Sequence, residues 1–332
     1  MITNNNKLTY FRLSVLSEYR SQLMGIAAIL ILICHANGNG VEMPAILKRL
    51  FTFGNYGVDI FLLLSGMGMY HSLEKAKTIN QSIGSWYKRR FIRILVPYTL
   101  ISLPYWLYVS IADNSTFVGF IENFSTLSFW TKHQGAWYVA LIIPLYLLSP
   151  LLMRICTNKK GRGIYMLALI VLISLPELIE IGESNFILHN ILFALKRVPF
   201  FLLGFMAGRF EEEQVEVKYS HALLTCIGTA ICYKTLQLFG ITIYWLLPIL
   251  GIGVLIMCIS FISNISLFNK LFVFMGGITL ESYLTNIYLG DVFRRGEFDS
   301  KLIAYILVVV LGILLSVVTN KISTRIIKNK NI

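Results

Sequence analysis

From residue 22 onward the chain returns repeatedly to apolar runs of about twenty residues, divided by short polar turns. A run of that length is what one helix needs to cross the hydrocarbon core of a bilayer. Every backbone N–H and C=O must there be bonded within the protein, because no water is present to bond it. The runs fall near 22–38, 56–71, 91–111, 137–154, 164–182, 188–208, 220–238, 243–262, 271–289 and 302–322. They predict an all-α, polytopic membrane bundle of about ten transmembrane helices, forming one domain over residues 1–332. Composition agrees: 56% of residues are hydrophobic and 14% charged, which leaves too few polar side chains to coat a soluble globule.

The separators carry turn chemistry, as in Asn37-Gly38-Asn39-Gly40, and one longer polar stretch runs from Ala112 to Ala136. The first nineteen residues are polar and basic and the next run lacks a small-residue cleavage site, so the first helix is expected to be retained. Five cysteines without a CxxC spacing mark neither a disulfide framework nor a metal site, and read as small core hydrophobes.

The 29 lysines and arginines give a formal charge of +12, and their placement is a topology signal. With the N-terminus inside, nineteen fall in inside segments, six in outside segments and four within or at the ends of helices. Both termini are therefore expected in the cytoplasm, with the positive charge drawn to membrane lipid. Charge that is sided in this way gives no support to nucleic-acid binding.

Chemistry has to come from polar groups at membrane depth, where an ionisable side chain is costly. His35 ends the first apolar run and Asp59 begins the second, so both lie toward the outer face. One reading pairs them, the carboxylate fixing the imidazole tautomer so that the other ring nitrogen takes a proton from a hydroxyl. The other makes His35 a helix end and Asp59 a cap. Arg197 and Glu281 are expected to form a buried ion pair, structural or in contact with substrate. In Trp86-Tyr87-Lys88-Arg89-Arg90-Phe91-Ile92-Arg93, the residues Arg90 and Arg93 share a helix face. They read either as a grip on phosphate oxygens or, with Arg89, as a positive-inside anchor.

The order of these features resembles the membrane acyltransferase family often called acyltransferase-3, bacterial O-acyltransferases of surface glycans. The resemblance rests on Gly25-Ile26-Ala27-Ala28 leading to His35, on Gly57-Val58-Asp59 running to Ser65-Gly66, and on Tyr87-Lys88-Arg89-Arg90-Phe91-Ile92-Arg93-Ile94 with Pro97-Tyr98. Weaker pieces are Trp137-Tyr138 with Tyr146 and Pro150, Arg197-Val198-Pro199-Phe200, and Gly277-Ile278-Thr279-Leu280-Glu281-Ser282-Tyr283. It implies transfer of an acyl group, usually acetyl, from cytoplasmic acyl-CoA to a hydroxyl of a cell-surface or lipid-linked polysaccharide. The protein would work in the bacterial cytoplasmic membrane. His35 becomes the catalytic histidine, oriented by Asp59, and Arg90 and Arg93, with Arg89, hold acetyl-CoA. An acyl-histidine is the competing route. Ser65, Tyr98, Trp137 and Asn286 are depth-compatible donors for the oxyanion.

Three positions depart from the family pattern. Met24 stands where many members carry arginine or lysine, and Arg20 lies one turn earlier on the same face. Trp137 is not followed by charged carboxylates. Asn286 stands where a histidine is often found. The alternative reading is a non-catalytic translocator of a lipid-linked glycan, which needs a polar path but neither a base outside nor a phosphate grip inside. His71, His133, His189 and His221 read as solvated or interfacial, and Glu211-Glu212-Glu213 as a solvated loop. The stretch from Ala112 to Ala136, with Phe129 and Trp130, reads as an outer acceptor surface or as an aromatic belt.

Overall fold

Apolar runs joined by short turns can satisfy their backbones in lipid only as helices, and helices account for nearly all of the regular structure. The computed structural model describes residues 10–179, 186–241 and 243–329. In chain order the helices are α1 Val15–Glu18, α2 Arg20–Gly38, α3 Ala45–Thr52, α4 Gly57–Thr78, α5 Ile83–Ala112, α6 Phe117–Phe124, α7 Leu127–Lys132 and α8 Trp137–Thr157. They continue with α9 Lys159–Leu178, α10 Phe186–Leu195, α11 Val198–Glu212, α12 Tyr219–Leu238, α13 Leu246–Ser263, α14 Ser266–Gly277, α15 Thr279–Arg295 and α16 Lys301–Asn329. Two short strands, β1 Tyr10–Arg12 and β2 Glu216–Lys218, pair antiparallel.

Among the described residues, seven stretches are long and apolar enough to cross a membrane. All ten expected runs fall on helices, and those outside the seven have identifiable features. Helix α12 is diluted by His221, Lys234 and Gln237, and the end of the fifth expected run, at 180–182, lies outside the described residues. The ninth is divided at Ile278. Helix α14 packs against the first turns of α2 at Ser21, Gln22 and Gly25, and α15 then runs beside α2 in the same direction. Gly276 permits that arrangement, since a Cβ there would stand 2.0 Å from the Ser21 carbonyl oxygen.

Helix direction sorts the bundle into two ends. At one, α2 begins with Arg20 and α4 finishes with Lys75 and Lys77, while the other carries His35 and the start of α4. Gly57 faces Ala27 and Gly68 faces Arg20, so α2 and α4 are antiparallel. Helix α11 runs parallel to α4 at very close range. A Cβ at Gly204 would meet the Leu63 carbonyl oxygen at 1.8 Å, and one at Gly66 would meet that of Phe201 at 2.0 Å. Lipid supplies no hydrophobic force between helices, so backbone contact of this kind, with its dense dispersion attraction, supports association.

The acidic run is a helix end rather than a loop, with Glu212 and Glu213 exposed and both paired with Arg209. Glu211 and Glu212 end α11, and all three carboxylates have partners: Glu211 bonds His71 at 2.8 Å, Glu212 accepts from the Tyr70 hydroxyl, and Glu213 meets Arg162 at 2.8 Å. Cys156 and Cys226 are buried as expected, whereas Cys232 and Cys258 are exposed on the bundle's flank. At the His35 end, α6 and α7 fold back on one another. Hydrogen bonds from Lys132 and Thr131 hold the Glu122 carboxyl below its usual pKa.

Gly204→Ala is expected to cost about 3 kcal/mol, because the added methyl meets backbone that cannot step aside. Gly228→Ala, with open space around its Cβ, is expected to be neutral or slightly stabilising. The fraction of protein surviving heating in detergent, read by size-exclusion chromatography, checks both.

Candidate active site

His35 lies in the last turn of α2, half-buried, with Nδ1 2.5 Å from Oδ1 of Asn286 on α15. The network beyond that contact fixes where the imidazole proton sits. The Tyr305 hydroxyl donates to the Leu32 carbonyl, so its oxygen is free to accept from Nδ2 of Asn286 at 3.3 Å. The amide therefore turns its oxygen to the histidine. An amide oxygen only accepts, so Nδ1 carries the hydrogen and Nε2 keeps its lone pair. Asn286 and Tyr305 are both buried, and the orientation is set by packed side chains.

The expected partner of His35 is elsewhere. Asp59, fully buried, accepts from Arg197 at 3.1 Å and from the Tyr244 hydroxyl at 2.9 Å, both at Oδ2. Among the described residues no hydrogen bond joins Asp59 to His35, so the tautomer-fixing role belongs to Asn286. The expected Arg197–Glu281 pair is likewise corrected. Arg197 serves Asp59 and the Asn55 carbonyl, while Glu281 accepts from the Asn320 amide at 3.0 Å. The Arg197 guanidinium also lies over the rings of Trp137 and Tyr244, at 5.3 and 4.9 Å. Trp137 thus packs against a cation. The Tyr98 hydroxyl donates to the Phe124 carbonyl at 2.7 Å, which ties α5 to α6.

Two clefts open toward opposite ends of the bundle, and His35 is in the lining of neither. The first, of about 470 Å³, is lined by Arg20, Arg90 and Arg93, by Ser65 and by Tyr138, Tyr146 and Tyr283, with Met24 in its wall. Its lining holds three guanidinium groups and no carboxylate, the charge balance of a site for an anion. Arg20 reaches it by laying its guanidinium across Gly68 and bonding the Leu64 carbonyl at 3.4 Å, so it supplies a cation in the cleft that Met24 cannot. Arg90 is braced by Ser72, which also accepts from the Trp86 indole at 2.7 Å. Arg89 is not part of the lining. Ser65 and the Tyr138 hydroxyl share a hydrogen bond of 3.1 Å there.

The second cleft, of about 500 Å³, opens at the other end between α5, α15 and the 112–136 stretch. Asp113, Asn123, Lys132, His133 and Gln134 come from that stretch, Tyr105 and Trp106 from α5, and Tyr288, Asp291 and Arg295 from α15. Helix α15 lines both spaces. Thr279, Leu280 and Tyr283 face the arginine cleft, Ile287 and Tyr288 face the second, and Asn286 lies between them. Helix α5 does the same with Arg90 and Arg93 below and Tyr105 and Trp106 above. Along α2, His35 is about 16 Å beyond Met24.

The bundle thus carries a cation-lined cleft toward one end and a polar one toward the other, with Asn286 between them along α15. A family model described as an acyltransferase domain, Acyl_transf_3, matches residues 23–321. The chain belongs to the acyltransferase 3 family. It is a membrane-bound, polytopic acyltransferase. No curated protein and no solved structure matches the chain.

Sequence reasoning singled out Asn286 as an oxyanion donor, within the ninth apolar run at 271–289. Nothing in the sequence pointed to Tyr305, whose part in the network exists only once α16 is packed on α15. Arg197→Ala in the acyltransferase is expected to cost about 3–5 kcal/mol, because it strands a buried carboxylate. The double variant Asp59→Leu/Arg197→Met is expected to cost well under the sum of its singles. A double-mutant cycle on stability in detergent measures both.

Proposed function

We propose that this acyltransferase carries an acyl group, acetyl in the simplest case, from cytoplasmic acyl-CoA to a hydroxyl of a cell-surface or lipid-linked saccharide, with His35 as general base. The observation that carries the reading is the place of Asn286, the partner of His35, on α15 between the residues that line the two clefts. Arg20, Arg90 and Arg93 suit the phosphates of CoA, and a long thioester arm is the form of donor able to reach from them to His35. The same positive charge supports a cytoplasmic placement for this end, in a bacterial cytoplasmic membrane with both termini inside. The second cleft then faces outward and receives the acceptor, and lipid surrounds the bundle.

The hydroxyl oxygen attacks the thioester carbonyl carbon while Nε2 of His35 removes its proton. As the C–O bond forms and the C–S bond breaks, the sulfur leaves as thiolate and takes the proton back from Nε2. Asn286 holds Nδ1–H throughout and stabilises the imidazolium through its oxygen. The Ser65–Tyr138 pair lies in the donor cleft, where it suits the thioester end of the arm. Asp59 acts at a distance from the reacting atoms, as one half of the ion pair that seats α11 and α8 on α4.

His35→Ala is expected to abolish ester-linked acetyl on the surface glycan at equal membrane level of the protein, with glycan export unchanged. Unchanged acetylation with glycan trapped inside would overturn the reading in favour of a translocator. Asn286→Ala is expected to lower kcat by about 10²-fold with KM for acetyl-CoA little changed, and Asn286→Asp, which keeps an oxygen for Nδ1–H, to retain more activity. Arg90→Ala and Arg93→Ala are expected to raise that KM by roughly 10- to 100-fold. Initial rates with purified protein in nanodiscs check all four.

A further inference from the structure

A third hollow, of about 670 Å³, separates α3 from α12 and α13 and shares no residue with either cleft. Phe53, Leu247 and Leu250 give it an apolar wall. Helix α12 packs chiefly on α13, so the space between α12 and α3 is not closed by protein. Helix α3 is short, and Ile46, Leu50 and Phe53 on it are exposed, as on a helix that lies in the plane of a membrane interface. It is tied to the last turn of α2, where the Asn37 amide donates to the Lys48 carbonyl at 3.2 Å.

Two cations, Arg49 and Lys234, line this hollow, and no carboxylate does. The Arg49 side chain has no hydrogen-bond or ion-pair partner among the described residues, and Lys234 donates at 3.2 Å to the neutral amide oxygen of Gln237. The basic residues of the second cleft are by contrast paired: Lys132 with Glu122, and Arg294 and Arg295 with Asp291. Like charges facing one space with low-dielectric walls repel, and an anion between them relieves the repulsion. The apolar wall beside them favours hydrocarbon over water. One molecule with a negative head and a hydrocarbon tail answers both demands.

We infer that α3, α12 and α13 form a binding site for an anionic phospholipid, its phosphate held by Arg49 and Lys234 and an acyl chain lying along Leu247 and Leu250. A zwitterionic lipid brings its own cation to the phosphate, which competes with the arginine and the lysine. A free anion meets the two cations but leaves the apolar wall uncovered. The anionic lipid acts as a clasp: it fills the gap between α12 and α3, and through Asn37 it steadies the turn of α2 that carries His35. The site is separate from both clefts, and the assignment does not depend on the acyl-transfer reading.

The test places the full chain in nanodiscs of phosphatidylcholine alone, or of equal parts phosphatidylcholine and phosphatidylglycerol, and reads thermal unfolding and, by native mass spectrometry, retained lipid. Four forms are compared: wild type, Arg49→Gln/Lys234→Gln, Ala230→Trp, which fills the hollow with both cations kept, and Lys48→Gln, an exposed neighbour outside the lining. Phosphatidylglycerol is expected to raise the unfolding midpoint of wild type and Lys48→Gln by several degrees and to stay bound to both. Its affinity is expected to fall roughly 30-fold in the double variant, and the added stability to vanish in Ala230→Trp, which keeps the test decisive if the double variant does not assemble. Equal stabilisation by the two bilayers, or a double variant that retains phosphatidylglycerol like wild type, overturns the proposal and leaves a hollow filled by bulk lipid. Inorganic phosphate added to the phosphatidylcholine discs is expected to change nothing, and stabilisation equal to that by phosphatidylglycerol overturns the lipid in favour of a free anion.

Discussion

A single buried ion pair ties together the starts of α4, α8 and α11. Asp59 at the start of α4 and Arg197 at the start of α11 are 138 residues apart and almost wholly shielded from solvent. Neither charge is tolerable alone in a low-dielectric interior, so the two helix starts are held together wherever both side chains are ionised. Tyr244 and Trp137 close around the same guanidinium, which brings the segment before α13 and the first residue of α8 to the pair. The glycine-mediated contact of α4 with α11 continues from this point toward the arginine cleft, so the electrostatic and steric constraints act on the same two helices.

His35 depends on a different set of partners, and the separation is informative. His35 takes its orientation from Asn286, and Asn286 takes its own from Tyr305, which in turn bonds backbone of the histidine's helix at Leu32. The ring of contacts therefore closes on itself through α2, α15 and α16 without involving the ion pair. A neutral amide holds the imidazole, and among the described residues no carboxylate is bonded to it. Charge at the site is concentrated where an anionic donor would be held, in the guanidinium groups of Arg20, Arg90 and Arg93.

Helices, their approximate ends and the residues worth attention were legible in the sequence because length, hydropathy and charge are local properties. The expected runs fall on helices, and Arg90 and Arg93 do share a cleft, since their spacing of three is itself a helical contact. Pairings across helices were not legible. His35 and Asp59 were placed at similar depth by counting residues from helix ends, but depth says nothing about rotation around the helix axis. It is rotation that turns His35 toward a residue 251 positions away and Asp59 toward Arg197. The division of the ninth run at Ile278 was hidden for a related reason. Gly276 reads as an ordinary small residue until the Ser21 carbonyl is seen beside it. The same holds for the 112–136 stretch, whose polar residues become the wall of a cleft only when α5 and α15 supply the other sides.

Helix α15 meets the arginine cleft at Tyr283 and the second cleft at Ile287, so only Leu284, Thr285 and Asn286 separate the two spaces along it, a rise of about 6 Å. Where hydrated hollows approach so closely from both sides, the transmembrane voltage falls mainly across the thin partition that remains. A unit charge crossing the full potential gains or loses about 2.3 kcal/mol per 100 mV. In the proposed reaction the acyl group passes outward in exchange for a proton passing inward, and hydroxyl, ester, thioester and thiol are all uncharged. The chemistry is then electroneutral across a partition one helical turn thick, and the energised state of the membrane, which would act on any net charge moved there, adds nothing to its driving force.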